Sequence, residues 1–216
     1  MISHTTKKRI YTSLFLFVLI YLIINYKFVL GYTLIVLGVI SLLEFYNLIV
    51  RILKKKIYLL IINLTFLLYL SIFSFAFFIL DSYLEFKLII FILLFGCIAS
   101  DIGGYIFGNL FKGVKLTKIS PNKTISGSAG SLFLTIVTMT SLIFLITKSV
   151  SLNLIALSIL TSIYCQLGDL FFSYLKRKAK IKDTGNFFQG HGGVLDRIDG
   201  ILLAIPLGLI TTLLIF

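Results

Sequence analysis

The sequence predicts an all-α, polytopic transmembrane helical bundle of about seven helices, and three observations carry that expectation. Of the 216 residues, 59% are hydrophobic and only 13% are charged, whereas a soluble domain is roughly half apolar and about a quarter charged. The apolar residues gather in runs close to the ~20 residues a helix needs to cross the hydrocarbon core of a bilayer. The 20 Lys and Arg lie between those runs, so no stretch is left over to build a soluble domain.

The spans follow in order. Lys7, Lys8 and Arg9 precede a first apolar run over 10–26. No small-residue cleavage site follows it, so it reads as a retained first helix and not as a removed leader. Lys27 alone separates it from a second span over 28–50, and either a tight turn or a re-entrant hairpin fits there. Merging the two would exceed the length of a span and invert every later loop, so separate helices are expected. Further spans run over 57–80, 88–110, 128–147, 151–175 and 199–216.

Lys and Arg number 3, 1, 4, 1, 4, 1, 6 and then 0 in the successive gaps. Basic residues favour the cytoplasmic side, which places the N-terminus there and the C-terminus on the opposite side. The cytoplasmic loops are then 51–56, 111–127 and 176–197. The net charge of +12 thus belongs to short loops beside anionic headgroups. It does not mark a nucleic-acid partner, whose basic face needs a soluble surface. Cys97 and Cys165 sit inside apolar segments without CxxC spacing and read as small buried hydrophobes.

A charge within the hydrocarbon costs several kcal/mol, so Glu44, Asp101 and Asp169 each need a reason. Glu44 and Asp169 fall about two turns from the cytoplasmic ends of their spans. Asp101 is deeper, in D-I-G-G-Y-I-F-G, where glycines permit either close helix packing or a break. One reading satisfies each carboxylate with a neighbouring hydroxyl or Lys, for packing alone. The other joins them with Asp183, Asp196 and Asp199 into an acidic cavity with a basic rim. That is what a Mg²⁺–phosphate site requires, since carboxylates hold the hard cation and Lys and Arg neutralise the remaining phosphate oxygens.

Two loops are polar enough to carry such a site. In I-S-P-N-K-T-I-S-G-S-A-G-S, residues 119–131, Pro121 starts a turn, and Ser120, Lys123, Thr124 and Ser126 offer donors without acidic competitors. The Lys-Thr pair lacks the glycine lead and the strand of a P-loop, and a plain solvated basic turn remains its competing reading. The stretch 173–199, S-Y-L-K-R-K-A-K-I-K-D-T-G-N-F-F-Q-G-H-G-G-V-L-D-R-I-D, holds six Lys and Arg, three carboxylates and His191. Asp196 and Asp199 share a helix face and can bridge one cation, with Arg197 pointing elsewhere. His191 binds a phosphate, holds water or stacks. Zinc is not expected, because neither a second His nor a Cys lies close enough in sequence to complete a tetrahedral site.

Ser173, Leu175, Lys176, Arg177, Lys182, Asp183, Gly185, Phe188, His191, Gly192, Gly193, Val194, Asp196, Arg197, Ile198 and Asp199 together resemble the signature of the phosphatidate cytidylyltransferase (CDP-diacylglycerol synthase) family. Gln166, Gly168 and Asp169 upstream, Asp101 with Gly104, the S-P-x-K-T loop and Glu44 support the resemblance. Gln189 departs from the family's usual Pro or Gly, and Ser126 from the acidic or amide residue of many members.

The resemblance implies cytidylyl transfer from CTP to phosphatidate, giving CDP-diacylglycerol and pyrophosphate. It implies Mg²⁺, with or without a monovalent cation such as K⁺, and a homodimer in the inner membrane of a bacterium with the active site facing the cytoplasm. It makes 1–216 a single integral membrane domain, with less typical N-terminal helices over 10–80 and a catalytic core over 88–216. Asp169, Asp196, Asp199 and, less centrally, Asp183 become metal ligands. Lys182, Arg197 and His191 join the three aspartates in catalysis. Ser120, Lys123, Thr124, Ser173, Lys176, Arg177, Gly192 and Gly193 bind substrates, while Glu44 and Asp101 act from behind these groups or in packing. The chemistry agrees: a phosphate attacking a triphosphate must overcome like-charge repulsion, which metal ions and cationic side chains relieve.

Three rivals fit less well. D-R-I-D-G at 196–200 copies the start of the CDP-alcohol phosphotransferase motif, but its later aspartates are missing. A CTP-dependent lipid kinase would release CDP in place of pyrophosphate. A transporter expects polar residues through the full depth and paired repeats, whereas these charges gather at one face.

Overall fold

The computed structural model describes residues 18–117, 120, 123–185, 187 and 192–215. Seven helices are present among them: α1 (18–25), α2 (Lys27–Ile52), α3 (Lys56–Leu80), α4 (Leu84–Phe111), α5 (Ile125–Thr147), α6 (Leu152–Lys178) and α7 (Leu195–Ile215). The described residues form no strand, only isolated bridge residues, among them the pair Lys115 and Thr124. Helices α2 to α7 are each long and apolar enough to cross a membrane, so the chain is an integral membrane protein of all-α class.

The expected joint at Lys27 is a single non-helical residue. Tyr26 is extended (φ −126°, ψ 106°), and α2 begins at Lys27, whose ammonium lies 4.7 Å from the centre of the Phe78 ring. Other helix ends extend beyond the apolar runs, because capping and end charges, not hydropathy, decide them. Helix α5 starts at Ile125, where the Thr124 side chain accepts from Gly127 N at 3.1 Å. Helix α6 runs on to Lys178, placing Lys176, Arg177 and Lys178 on its negative C-terminal end. Helix α7 starts at Leu195, four residues before the apolar span read from the sequence.

The chain divides into two compact units, Met1–Ile79 with Leu175–Ile198, and Leu80–Tyr174 with Asp199–Phe216. In the first, Ser41, Glu44, Phe45, Leu48 and Ile49 make one buried stripe on α2 at helical spacing. Phe45 stacks on Phe66 of α3 at 3.9 Å between ring centres.

In the second unit α4 continues unbroken through D-I-G-G, so its glycines serve close packing. Where lipid tails are as apolar as Leu, helices associate through small residues that let backbones touch. A Cβ on Gly103 would collide with the Gly130 carbonyl of α5, and one on Gly130 with the Phe107 ring of α4. Ser131 Oγ donates to the Ser100 carbonyl at 2.7 Å across the same seam. Helices α6 and α7 repeat the device: a Cβ on Gly168 would lie 2.6 Å from the Asp199 carbonyl oxygen, and one on Gly200 2.7 Å from Cys165 Sγ. Cys97 and Cys165 are free and buried, packed with Ala204.

Candidate active site

In the first unit the polar groups gather on two carboxylates. Glu44, only 6% exposed, accepts from Thr184 Oγ1 at 2.9 Å, Val194 N at 3.0 Å and Leu195 N at 2.8 Å. Val194 and Leu195 open α7, so a side chain of α2 caps a helix about 150 residues away in sequence. The cap favours a carboxylate, since orphan N–H groups and the helix dipole both draw negative charge. Asp196 Oδ1 accepts from Lys176 Nζ at 2.7 Å, and its Oδ2 accepts from Thr184 N at 2.8 Å and Gly193 N at 3.1 Å. Thr184 and Gly193, with eight residues between them, are thereby joined on one oxygen. Gly192 takes φ +87°, a conformation glycine adopts without steric cost, with Asp196 Oδ2 3.2 Å from where a Cβ would stand.

In the second unit, the chain between α4 and α5 doubles back. Leu116 N donates to Lys123 O at 2.7 Å and Ile125 N to Val114 O at 2.9 Å. This places Lys123 against α6, where its ammonium forms an ion pair with Asp169 Oδ2. Ser173 Oγ donates to Asp169 Oδ1 at 3.3 Å. One turn back along α6, Gln166 accepts from Ser128 Oγ at 2.5 Å and donates to Ser162 Oγ at 3.2 Å. Cys165 Sγ lies 3.9 Å from Asp101 Oδ1. Asp199 is buried, and its carboxylate accepts from Gly200 N at 2.9 Å.

Of the residues marked by the sequence, the first unit brings together Lys176, Gly192, Gly193 and Asp196, with Asp183 3.8 Å from the Cβ position of Gly192. The second brings together Lys123, Asp169 and Ser173. Thr124 caps α5, and the Ser120 carbonyl accepts from Lys123 N at 3.1 Å, so both shape the turn that holds Lys123. Arg177, Lys182 and Arg197 are exposed. Pro121, Phe188, Gln189 and His191 lie outside the described residues, as do Lys7, Lys8 and Arg9. Sequence reasoning passed over Thr184 and Ser128. Thr184 stands directly between the marked residues Asp183 and Gly185, but nothing in spacing ties it to a glutamate 140 residues earlier.

The donor chemistry fits a hard divalent cation. Asp169 is 32% exposed at its side chain and, among the described residues, holds an ammonium and a hydroxyl, both exchangeable for a metal ion. The backbone of Asp199 comes to the same helix, its carbonyl packed on Gly168 beside Asp169. Among the described residues, no three carboxylate, His or Cys groups form a finished metal cage. Mg²⁺ needs none, because it is commonly held by one or two carboxylates, water and the substrate's own phosphates.

Comparison with known proteins gives the family. A family model described as "Cytidylyltransferase family" matches residues 1–215. A protein named phosphatidate cytidylyltransferase from Staphylococcus haemolyticus (strain JCSC1435) is 42% identical over 110 residues, covering 50% of this chain and 42% of that protein. One of the same name from Staphylococcus aureus (strain COL) is 37% identical over 110 residues, with the same shares. A third, from Mycobacterium leprae (strain TN), is 44% identical over 115 residues, covering 52% of this chain and 36% of the relative. The chain matches less than half the length of each of these relatives.

Proposed function

The chain belongs to the cytidylyltransferase family, and from that premise we propose that it transfers the cytidylyl group of CTP to phosphatidate, forming CDP-diacylglycerol and pyrophosphate. The observation that carries the reading is the family match over residues 1–215, supported by relatives named for this activity. An oxygen of the phosphatidate phosphate bonds to the α-phosphorus of CTP, and the bond from that phosphorus to pyrophosphate breaks. The nucleophile is already ionised near neutral pH, so the residues' task is to hold two anions in line.

Lys123 and Lys176, each on a carboxylate at rest, would turn their ammonium groups to phosphate oxygens. Arg177, Lys182 and Arg197 would grip further oxygens, the arginines in bidentate fashion. Ser120, Thr124 and Ser173 would add hydroxyl donors, Gly192 and Gly193 would let substrate approach the backbone, and His191 would contact a phosphate. Asp169 and Asp199, with Asp196 and Asp183, would hold Mg²⁺, with or without K⁺. Such a cation, when bound, withdraws charge from the phosphate oxygens and lowers their mutual repulsion.

The reading carries a bacterial plasma-membrane location, a site facing the cytoplasm and a homodimer. The test is incubation of the purified full chain with phosphatidate, Mg²⁺ and CTP labelled at the α-phosphate. Label in the lipid fraction with release of pyrophosphate is expected. Label remaining in released CDP, with the γ-phosphate on the lipid, would identify a kinase instead.

A further inference from the structure

We propose that Glu44 is the positioning residue of the signature segment. From α2 its carboxylate holds Thr184, Val194 and Leu195, the residues that flank Gly193 and Asp196. The proposal rests on the cytidylyl-transfer reading and goes beyond it by giving a residue far upstream of the signature a defined part in the reaction.

Three observations converge on Glu44. Both its oxygens are used, by Thr184 Oγ1, Val194 N and Leu195 N, at the entrance and the exit of the same segment. The backbone is pressed against it: a Cβ on Gly193 would lie 2.5 Å from Oε2 and 2.6 Å from Oε1, and one on Gly185 would collide with Oε1. Two signature glycines are therefore small because a carboxylate of α2 occupies the space beside them. The segment is also closed independently by Asp196, which receives Thr184 N and Gly193 N on one oxygen. A shift of the Glu44 carboxylate thus reaches Asp196 through Thr184 and Gly193.

The chemistry singles out a carboxylate. A buried charge is costly, and packing alone would be served by an apolar side chain. Three donors arriving together need an acceptor-only group with two oxygens, which Glu provides and Gln does not. The amide of Gln would set N–H against N–H or O–H. The onset of α7 at Leu195, ahead of the apolar run, follows from this cap.

The test uses the full chain in phosphatidate-containing micelles, with Glu44→Gln, Glu44→Asp and Thr184→Val read by hydrogen exchange and by steady-state kinetics. In Glu44→Gln, amides of peptides covering 182–198 should exchange at least about tenfold faster, while those of α4 and α5 stay at the wild-type rate. The kcat should fall about 100-fold, the scale of an ångström-level misplacement, with KM for CTP within about threefold. Glu44→Asp, which keeps the charge but retracts it by about 1.5 Å, should recover part of kcat. Thr184→Val removes one donor from Glu44 but keeps its backbone bond to Asp196, and should lower kcat about tenfold.

Wild-type exchange over 182–198 in Glu44→Gln, or faster local exchange at wild-type kcat, would overturn the proposal. If Glu44→Gln does not accumulate as folded protein, Thr184→Val decides by the same two readouts. Wild-type protein that forms no labelled lipid overturns the cytidylyl-transfer reading and the kinetic arm with it. Unchanged exchange overturns the Glu44 anchor alone.

Discussion

Glu44 and Asp169 are both carboxylates in apolar helices, and they are held in opposite ways. Glu44 is buried and receives three hydrogen bonds from neutral donors, two of them backbone amides. Asp169 is a third exposed at its side chain and pairs with a lysine borne on a turn, plus a hydroxyl from its own helix. A carboxylate fastened to backbone cannot exchange its partners without unfolding what it caps. One held by a flexible ammonium can trade it for another cation. The first is architecture and the second is available for chemistry.

The sharpest way to break this contrast is Asp169→Asn. About a 1,000-fold loss of CDP-lipid formation is expected, the scale seen when a key electrostatic group is removed, with a thermal midpoint in detergent near that of wild type. A drop in stability as steep as the drop in activity would make Asp169 architecture too. Glu44→Leu should show the reverse emphasis. It strands three donors at about 1–3 kcal/mol each, so the midpoint should fall by several degrees and folded yield with it.

Gly130→Val probes the second unit away from its carboxylates. Overpacking against Phe107 should cost about 1–3 kcal/mol, visible in the same melting assay. The smallest effect belongs to Lys123→Met. Loss of a partly exposed ion pair, worth about 0.2–1 kcal/mol, should tighten Mn²⁺ binding by electron paramagnetic resonance two- to fivefold and raise the KM for CTP. Unchanged Mn²⁺ affinity would mean that the ammonium does not compete for Asp169.

The helices were legible because a membrane span writes its length directly into hydropathy, and α2 to α6 begin or end within a few residues of the runs read from the sequence. The start of α7 was not written in hydropathy, because its first turn is polar and is made helical by Glu44 and Asp196, and only the shared helix face of Asp196 and Asp199 pointed to it. Close packing and a break were both open at D-I-G-G, and only the neighbouring Gly130 on α5 decides for packing. The chemistry-bearing residues could be named from local spacing, whereas their pairing could not. Lys123 and Asp169 lie 46 residues apart, and Glu44 and Thr184 lie 140 apart; no periodicity links positions separated by whole helices.

The glycine seam of α4 and α5 has a consequence for what evolution and engineering can change. With backbones in direct contact at Gly103 and Gly130, neither helix can slide or splay to absorb a displacement at its end. The connecting turn springs from this rigid pair at both feet, Phe111 and Ile125, and its inner rungs are the bonds from Leu116 to Lys123 and from Ile125 to Val114. Length added or removed at those rungs shifts their register. One residue inserted there displaces the lysine by about 3.3 Å, the rise of extended chain, enough to carry its ammonium out of reach of Asp169. At its rungs the length of this turn matters as much as the identity of Lys123.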